Sequence, residues 1–171
     1  DTSFYIPSEE KEDYFLWLSR PTANKGLSDA LEVAASRKLH LKVVPGMGNA
    51  AHIKELDSYK DAIVKANQEG AQVEVIMLPL DSTHHVKKRE LYQKAKALLY
   101  PITSHEPFGL TVIESVACGT PVLTYDRGAM KEILKHGETG YICETLEEMV
   151  ESTELVDRLS ADACAADAKE R

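Results

Sequence analysis

The sequence predicts an α/β fold, a doubly wound parallel sheet of about six strands with helices on both faces. Two observations carry that expectation. Runs of large apolar residues such as Tyr14-Phe15-Leu16-Trp17-Leu18 and Ala97-Leu98-Leu99-Tyr100 are too short for helices of their own and read as strands buried on both faces. Between such runs lie stretches whose apolar residues recur at helical spacing, and this alternation builds βαβ units with a parallel sheet. With 171 residues, 43% of them hydrophobic, the chain is long enough for one full core, whereas two domains would be a squeeze.

Composition narrows the function classes. The formal charge of -8, from 20 basic and 28 acidic side chains, argues against general nucleic-acid binding, which needs a broad basic surface, while leaving room for a local anion site. Cys118, Cys143 and Cys164 are widely spaced and odd in number, so they indicate neither a disulfide framework nor a metal knuckle, and a reducing compartment is the simpler reading. No stretch approaches the roughly 18 apolar residues of a membrane helix, so a soluble domain is expected. The start at Asp1 lacks an initiator methionine and a signal segment and reads as a processing boundary or a cut in something longer.

Residues 1–13 are polar and acidic and read as a linker arm; residues 14–171 form the domain. After the first strand, Ser19 to Gly26 turn the chain, and Leu27, Ala30, Leu31, Ala34 and Ala35 mark a helix face against a sheet. Leu41 to Val44 is a second strand running into the glycine turn Pro45-Gly46-Met47-Gly48-Asn49. One helix through Ile53, Leu56, Ile63 and Val64 ends near Gly70, and Val73 to Leu78 is the third strand. His84 and His85 precede a helix through Leu91, Tyr92 and Ala95; adjacent histidines point apart and no thiol or carboxylate at ligand spacing completes a metal site. Ala97 to Pro101 is the fourth strand, Pro121 to Tyr125 the fifth, and Gly140 to Ile142 the sixth, followed by amphipathic helices from Leu146 and a tail expected to fray past Ala165.

The chemistry concentrates in His105-Glu106-Pro107-Phe108-Gly109-Leu110-Thr111-Val112-Ile113-Glu114. Pro107 holds Glu106 extended, and a helix is predicted from about Phe108, ending at Gly119 and Pro121. The first turn of a helix leaves backbone N–H groups unpaired, and Gly109 has no side chain to cover them, so an anionic phosphate suits that end. Glu106 and Glu114 flank it. Carboxylates repel phosphate, so their work there is to accept hydrogen bonds from sugar and ribose hydroxyls. Arg20 and Lys25 stand in the loop after the first strand, at the sheet edge where open α/β folds place ligands, and suit a diphosphate. His105 reads as an exposed loop residue.

Glu106 and Glu114, spaced by seven residues and followed by Cys118-Gly119-Thr120-Pro121-Val122, resemble the E-x7-E motif of retaining GT-B glycosyltransferases, especially glycosyltransferase family 4, also called group 1. Arg20, Lys25 and Gly26 are similar to that family's Arg and Lys-Gly pattern, with Ser19 in place of the usual glycine. The likeness runs from about Phe15 to Leu159. It implies a Rossmann-like C-terminal donor-binding half whose N-terminal acceptor domain is absent. In that family role, Arg20 and Lys25 neutralise the diphosphate leaving group, Glu106 orients the donor sugar, and Glu114 accepts from ribose. Phe108, Gly109, Leu110 and Thr111 hold phosphate or sugar, and Leu80 meets the base. The resemblance further implies a nucleotide diphosphate sugar as donor, no metal, and transfer of a hexosyl group to a sugar, polysaccharide or lipid acceptor bound by the missing domain. The fragment alone is expected to bind donor without turnover. It also implies a cytoplasmic location, with peripheral membrane contact through the missing domain left open.

Two other readings share the fold, a non-catalytic nucleotide-sugar-binding module and a GT-B sugar-nucleotide epimerase. A two-carboxylate glycoside hydrolase gives Arg20, Lys25 and the helix start no task and is set aside.

Overall fold

The computed structural model describes residues 3–46 and 50–170. Six strands, β1 (Phe15–Ser19), β2 (His40–Pro45), β3 (Gln72–Val75), β4 (Ala97–Tyr100), β5 (Val122–Tyr125) and β6 (Gly140–Cys143), form one sheet in the order β3-β2-β1-β4-β5-β6, and every pairing is parallel. The connections carry α1 (Leu27–Arg37), α2 (Ala50–Asp57), α3 (Lys60–Gln68), α4 (His84–Lys94), α5 (Leu110–Ala117) and α6 (Met130–Ile133), and α7 (Leu146–Ser152) and α8 (Ala161–Glu170) follow the last strand. The chain winds outward from β1 to β3 and then returns to β4 on the other side of β1. The carboxyl ends of β1 and β4 therefore diverge into loops that leave in opposite directions, opening the crevice in which such sheets hold ligands.

Strand alternation splits the core into two layers. Phe15 and Trp17 of β1, with Ala97 and Leu99 of β4, pack under α1, α3 and α7; Leu16 and Leu18, with Leu98 and Tyr100, pack under α4, α5 and α8. This is why β1 and β4 read as unbroken apolar runs: both faces are covered. Among the described residues, no helix is long and apolar enough to cross a membrane.

Several boundaries differ from the expectation. The single helix through Ile53 and Val64 is two helices, α2 and α3, separated at Ser58 and Tyr59. The third strand stops at Val75: Val43 opposite Val75 is its last pair, and Ile76 N–H still donates to Val43 O, but the next ladder bond would need an N–H from Pro45, which has none. Helix α5 starts at Leu110 rather than near Phe108, since Gly109 takes a left-handed conformation (φ 58°) and caps it. The tail past Ala165 is helical: α8 continues to Glu170, Ala165 is buried, and Cys164 and Ala168 join the core layer of α5. The later part of the glycine turn, Met47 to Asn49, lies outside the described residues. All three cysteines are free and buried.

Residues ahead of β1 lie along α4 and α5. The Lys11 ammonium donates to Gln93 O and Thr120 Oγ1, Glu12 pairs with Lys94 and Lys42, and the Tyr5 hydroxyl donates to Glu114 Oε1.

Candidate functional site

The loop after β1 is built to aim Lys25 inward. A 3-10 turn at Ala23–Lys25 ends on Gly26 in a left-handed conformation, φ 69°, where a Cβ would lie 1.9 Å from the Pro101 carbonyl oxygen. Only glycine fits such an approach. Trp17, fully buried in β1, donates its indole N–H to Lys25 O at 3.1 Å and fixes the turn from below. Across the crevice, Thr103 N–H donates to Asn24 O, and the Asn24 amide donates to Ser104 Oγ, so the loops after β1 and β4 are clasped together.

Lys25 is 8% exposed. Its ammonium donates to Glu106 Oε2 at 2.6 Å and to the Tyr100 hydroxyl at 3.2 Å, while that hydroxyl donates to the same Glu106 oxygen at 3.0 Å. The Gly109 N–H donates to Glu106 Oε1 at 3.2 Å, and the Glu106 carbonyl accepts from Ala129 N–H. Burial by itself would raise the Glu106 pKa; the Lys25 ammonium, the Gly109 N–H and the Tyr100 hydroxyl outweigh it and hold the carboxyl below its ordinary value. Burial, with Glu106 alongside, pushes the Tyr100 phenol above its ordinary range.

Leu18, Ser19, Arg20, Lys25, Gly46, Tyr100, Glu106, Phe108, Leu110 and Thr111 line an open cavity of about 310 Å3 at the carboxyl ends of β1 and β4. Arg20, Lys25, Glu106, Phe108, Leu110 and Thr111 are thus brought to one place, with Gly109 between two of them. Phe108 and Leu110 are exposed at its rim, and His105 is exposed in the adjoining loop. Because Glu106 takes the Gly109 N–H, the start of α5 offers the cavity the N–H groups of Leu110 and Thr111. Roomier grooves of about 400 and 520 Å3 lie between α1 and α3 and at the amino edge of the sheet, away from the strand ends where ligands collect in this architecture.

Glu114 and Leu80 do not line this cavity. Glu114 sits one helical turn beyond Leu110 on the same side of α5. Its carboxylate accepts from Lys88 at 2.5 Å and Tyr92 at 3.2 Å on Oε2, and from Tyr5 at 2.9 Å on Oε1. Leu80 is 88% exposed in the segment after β3. Sequence reasoning missed Tyr100 and Trp17, reading both as apolar strand residues. Their signal was chemical: a phenol or indole in a buried strand needs a hydrogen-bond partner nearby.

The family model for glycosyl transferases group 1 matches residues 2–170. An uncharacterized glycosyltransferase of Methanocaldococcus jannaschii is 29% identical over 138 residues, 79% of this chain and 33% of that protein. Sucrose-phosphate synthase from Thermosynechococcus elongatus superposes with a TM-score of 0.77 at 19% identity, covering 99% of this chain and 44% of that one. Anabaena HepE in complex with UDP-glucose gives 0.77 at 19% identity, covering 100% of this chain and 51% of that one. The chain therefore spans between about a third and a half of the length of these three proteins. The structural likenesses carry the fold alone, a six-stranded parallel sheet with helices around it. The family match, which covers almost every residue, carries the assignment: this chain belongs to the glycosyl transferases group 1 family.

Proposed function

We propose that the chain is the donor-binding half of a retaining GT-B glycosyltransferase of family 4, which transfers a hexosyl group from a nucleotide diphosphate sugar to an acceptor held by a second domain. The observation that carries this reading is the convergence of Arg20, Lys25, Glu106 and the start of α5 on one cavity between β1 and β4. In a chain of formal charge -8, that cavity pairs two cations with one carboxylate. The HepE complex, which contains UDP-glucose, supports the choice of ligand class.

The residues divide the work by charge. Arg20 presents a planar fork for two phosphate oxygens, and Lys25 keeps one ammonium N–H beyond the two given to Glu106 and Tyr100. As the bond between sugar and diphosphate breaks, negative charge grows on the leaving group, and cations already in place stabilise that state more than the ground state. They supply the positive charge that a metal would otherwise bring, so donor binding is expected to be metal-independent. The N–H groups of Leu110 and Thr111 reach phosphate or sugar from the helix start. Glu106, held ionised by its three donors, accepts from a hydroxyl of the donor sugar. Glu114 accepts from ribose hydroxyls on Oε1, where the Tyr5 hydroxyl donates and can be joined or displaced. Phe108 covers the sugar, and Leu80 meets the base. The whole enzyme works in the cytoplasm, and this half alone binds donor without turning it over.

A calorimetric panel of UDP, GDP and ADP sugars against the chain, repeated with Lys25→Ala, tests the reading. Binding of one series, weakened about tenfold or more in the variant through loss of a charged hydrogen bond, is the expected result. Unchanged affinity removes Lys25 from the diphosphate site. Product analysis of the full-length protein then separates a transferase, which yields a new glycoside, from an epimerase or a non-catalytic module.

A further inference from the structure

The Tyr100 hydroxyl stands at the centre of the site, and the roles above count it only as one of three donors to Glu106. Tyr100 is 2% exposed; its ring belongs to the core layer under α5, and its oxygen lies 3.0 Å from Glu106 Oε2 and 3.2 Å from Lys25 Nζ. A phenylalanine would fill the same core volume without touching either charge. With its pKa raised by burial and by Glu106, the phenol stays neutral throughout the working pH range, one donor and one acceptor. The donor side serves Glu106 and the acceptor side serves Lys25.

This matters once a diphosphate arrives, because it competes for the ammonium that Glu106 holds. As Lys25 shifts toward phosphate, Glu106 loses its shortest contact while it must remain ionised and oriented toward the donor sugar. Among the described residues, the donors left to it are the Gly109 N–H on Oε1 and the Tyr100 hydroxyl on Oε2. The geometry points to Tyr100 as a positioning residue, whose hydroxyl keeps Glu106 Oε2 in place while the Lys25 ammonium is shared between carboxylate and diphosphate. This rests on the donor-site reading above. The other charged or titratable groups at the site are Arg20 from the end of β1 and His105, next to Glu106 in the chain, with Asp126 and Arg127 in the turn that packs against the Glu106 backbone.

Inorganic pyrophosphate is the probe. The side-chain carboxyl carbon of Glu106, assigned by its loss in Glu106→Gln, is followed by NMR against pH in the chain and in Tyr100→Phe, each free and saturated with pyrophosphate. Tyr100→Phe is expected to raise the Glu106 midpoint, and to raise it more with pyrophosphate bound, by about one pH unit, the tenfold effect of one hydrogen bond to a charged group. A purely structural phenol would shift the unfolding midpoint and leave the Glu106 titration where it was. Equal Glu106 midpoints in the two pyrophosphate-bound proteins overturn the proposal and leave the donor site standing. Failure of the unmodified chain to bind pyrophosphate removes the donor site and the proposal together. Should Tyr100→Phe not fold, 3-fluorotyrosine in place of Tyr100 decides: a more acidic phenol donates more strongly and lowers the bound-state midpoint, and an unmoved midpoint overturns the proposal.

Discussion

Lys25→Met, which removes the charge and keeps most of the stem, should destabilise the folded chain by about 3 kcal/mol at neutral pH and by much less in acid. The Lys25–Glu106 pair is 2.6 Å long, and its side chains are 11% and 14% exposed. At an effective dielectric of about 20, the gross attraction at that distance is about 6 kcal/mol, most of it offset by the cost of burying both charges. Deleting one partner leaves the other charge buried, which costs about 3 to 5 kcal/mol. Tyr100 and the Gly109 N–H still hold Glu106, so the lower end applies. The sign with pH follows from Glu106, whose folded pKa lies below its ordinary value of 4.5. Its contribution is fully present above the unfolded pKa and lost as pH falls through the folded one. In the variant, burial is no longer outweighed by Lys25, so Glu106 takes up its proton at higher pH. The stability gap should therefore close as pH falls from the variant's Glu106 midpoint to the lower midpoint of the parent. Urea unfolding at a series of pH values measures it. A gap below about 1 kcal/mol at pH 7, the range of an exposed ion pair, or one that stays constant down to the acid limit of folding, would refute the reasoning.

Gly26→Ala should cost about 3 kcal/mol or more, since a left-handed non-glycine residue costs about 1 to 2 kcal/mol and the added Cβ also meets the Pro101 oxygen at 1.9 Å. An unchanged unfolding midpoint would contradict that. Glu106→Ala should weaken binding of the intact sugar donor far more than of its nucleoside diphosphate, whereas Glu114→Ala should weaken both; calorimetry showing equal losses for both ligands in both variants would undo the division of roles. Tyr5→Phe keeps the ring and removes one donor to Glu114, so a loss of about 1 kcal/mol in unfolding free energy is expected, and a loss of zero would mean that the contact contributes nothing.

The central strands were legible because burial on both faces leaves a mark that no surface element shares: Phe15 to Leu18 and Ala97 to Tyr100 are apolar at every position. The edge was harder. Met77 and Leu78 continue an apolar run, yet the ladder breaks where β2 presents Pro45, and that register cannot be told from the β3 sequence. The end of α8 was misread because Ala165 and Ala168 look like a weak tail until α5 is seen beside them. Within the site, Arg20, Lys25 and Glu106 were found from charge types at strand ends. Their mutual hold was not, because the Lys25–Glu106 bond spans 81 residues of chain and its third member, Tyr100, looked like core. The partners of Glu114 were hidden in the same way: Lys88 and Tyr92 come from another helix and Tyr5 from a segment 109 residues earlier.

A crystal of the chain soaked with UDP decides whether the cavity is a donor site. The diphosphate is expected within hydrogen-bond distance of Arg20, Lys25 and the N–H groups of Leu110 and Thr111, between the carboxyl ends of β1 and β4. A diphosphate bound at any other surface, with that cavity left to solvent, would contradict that expectation.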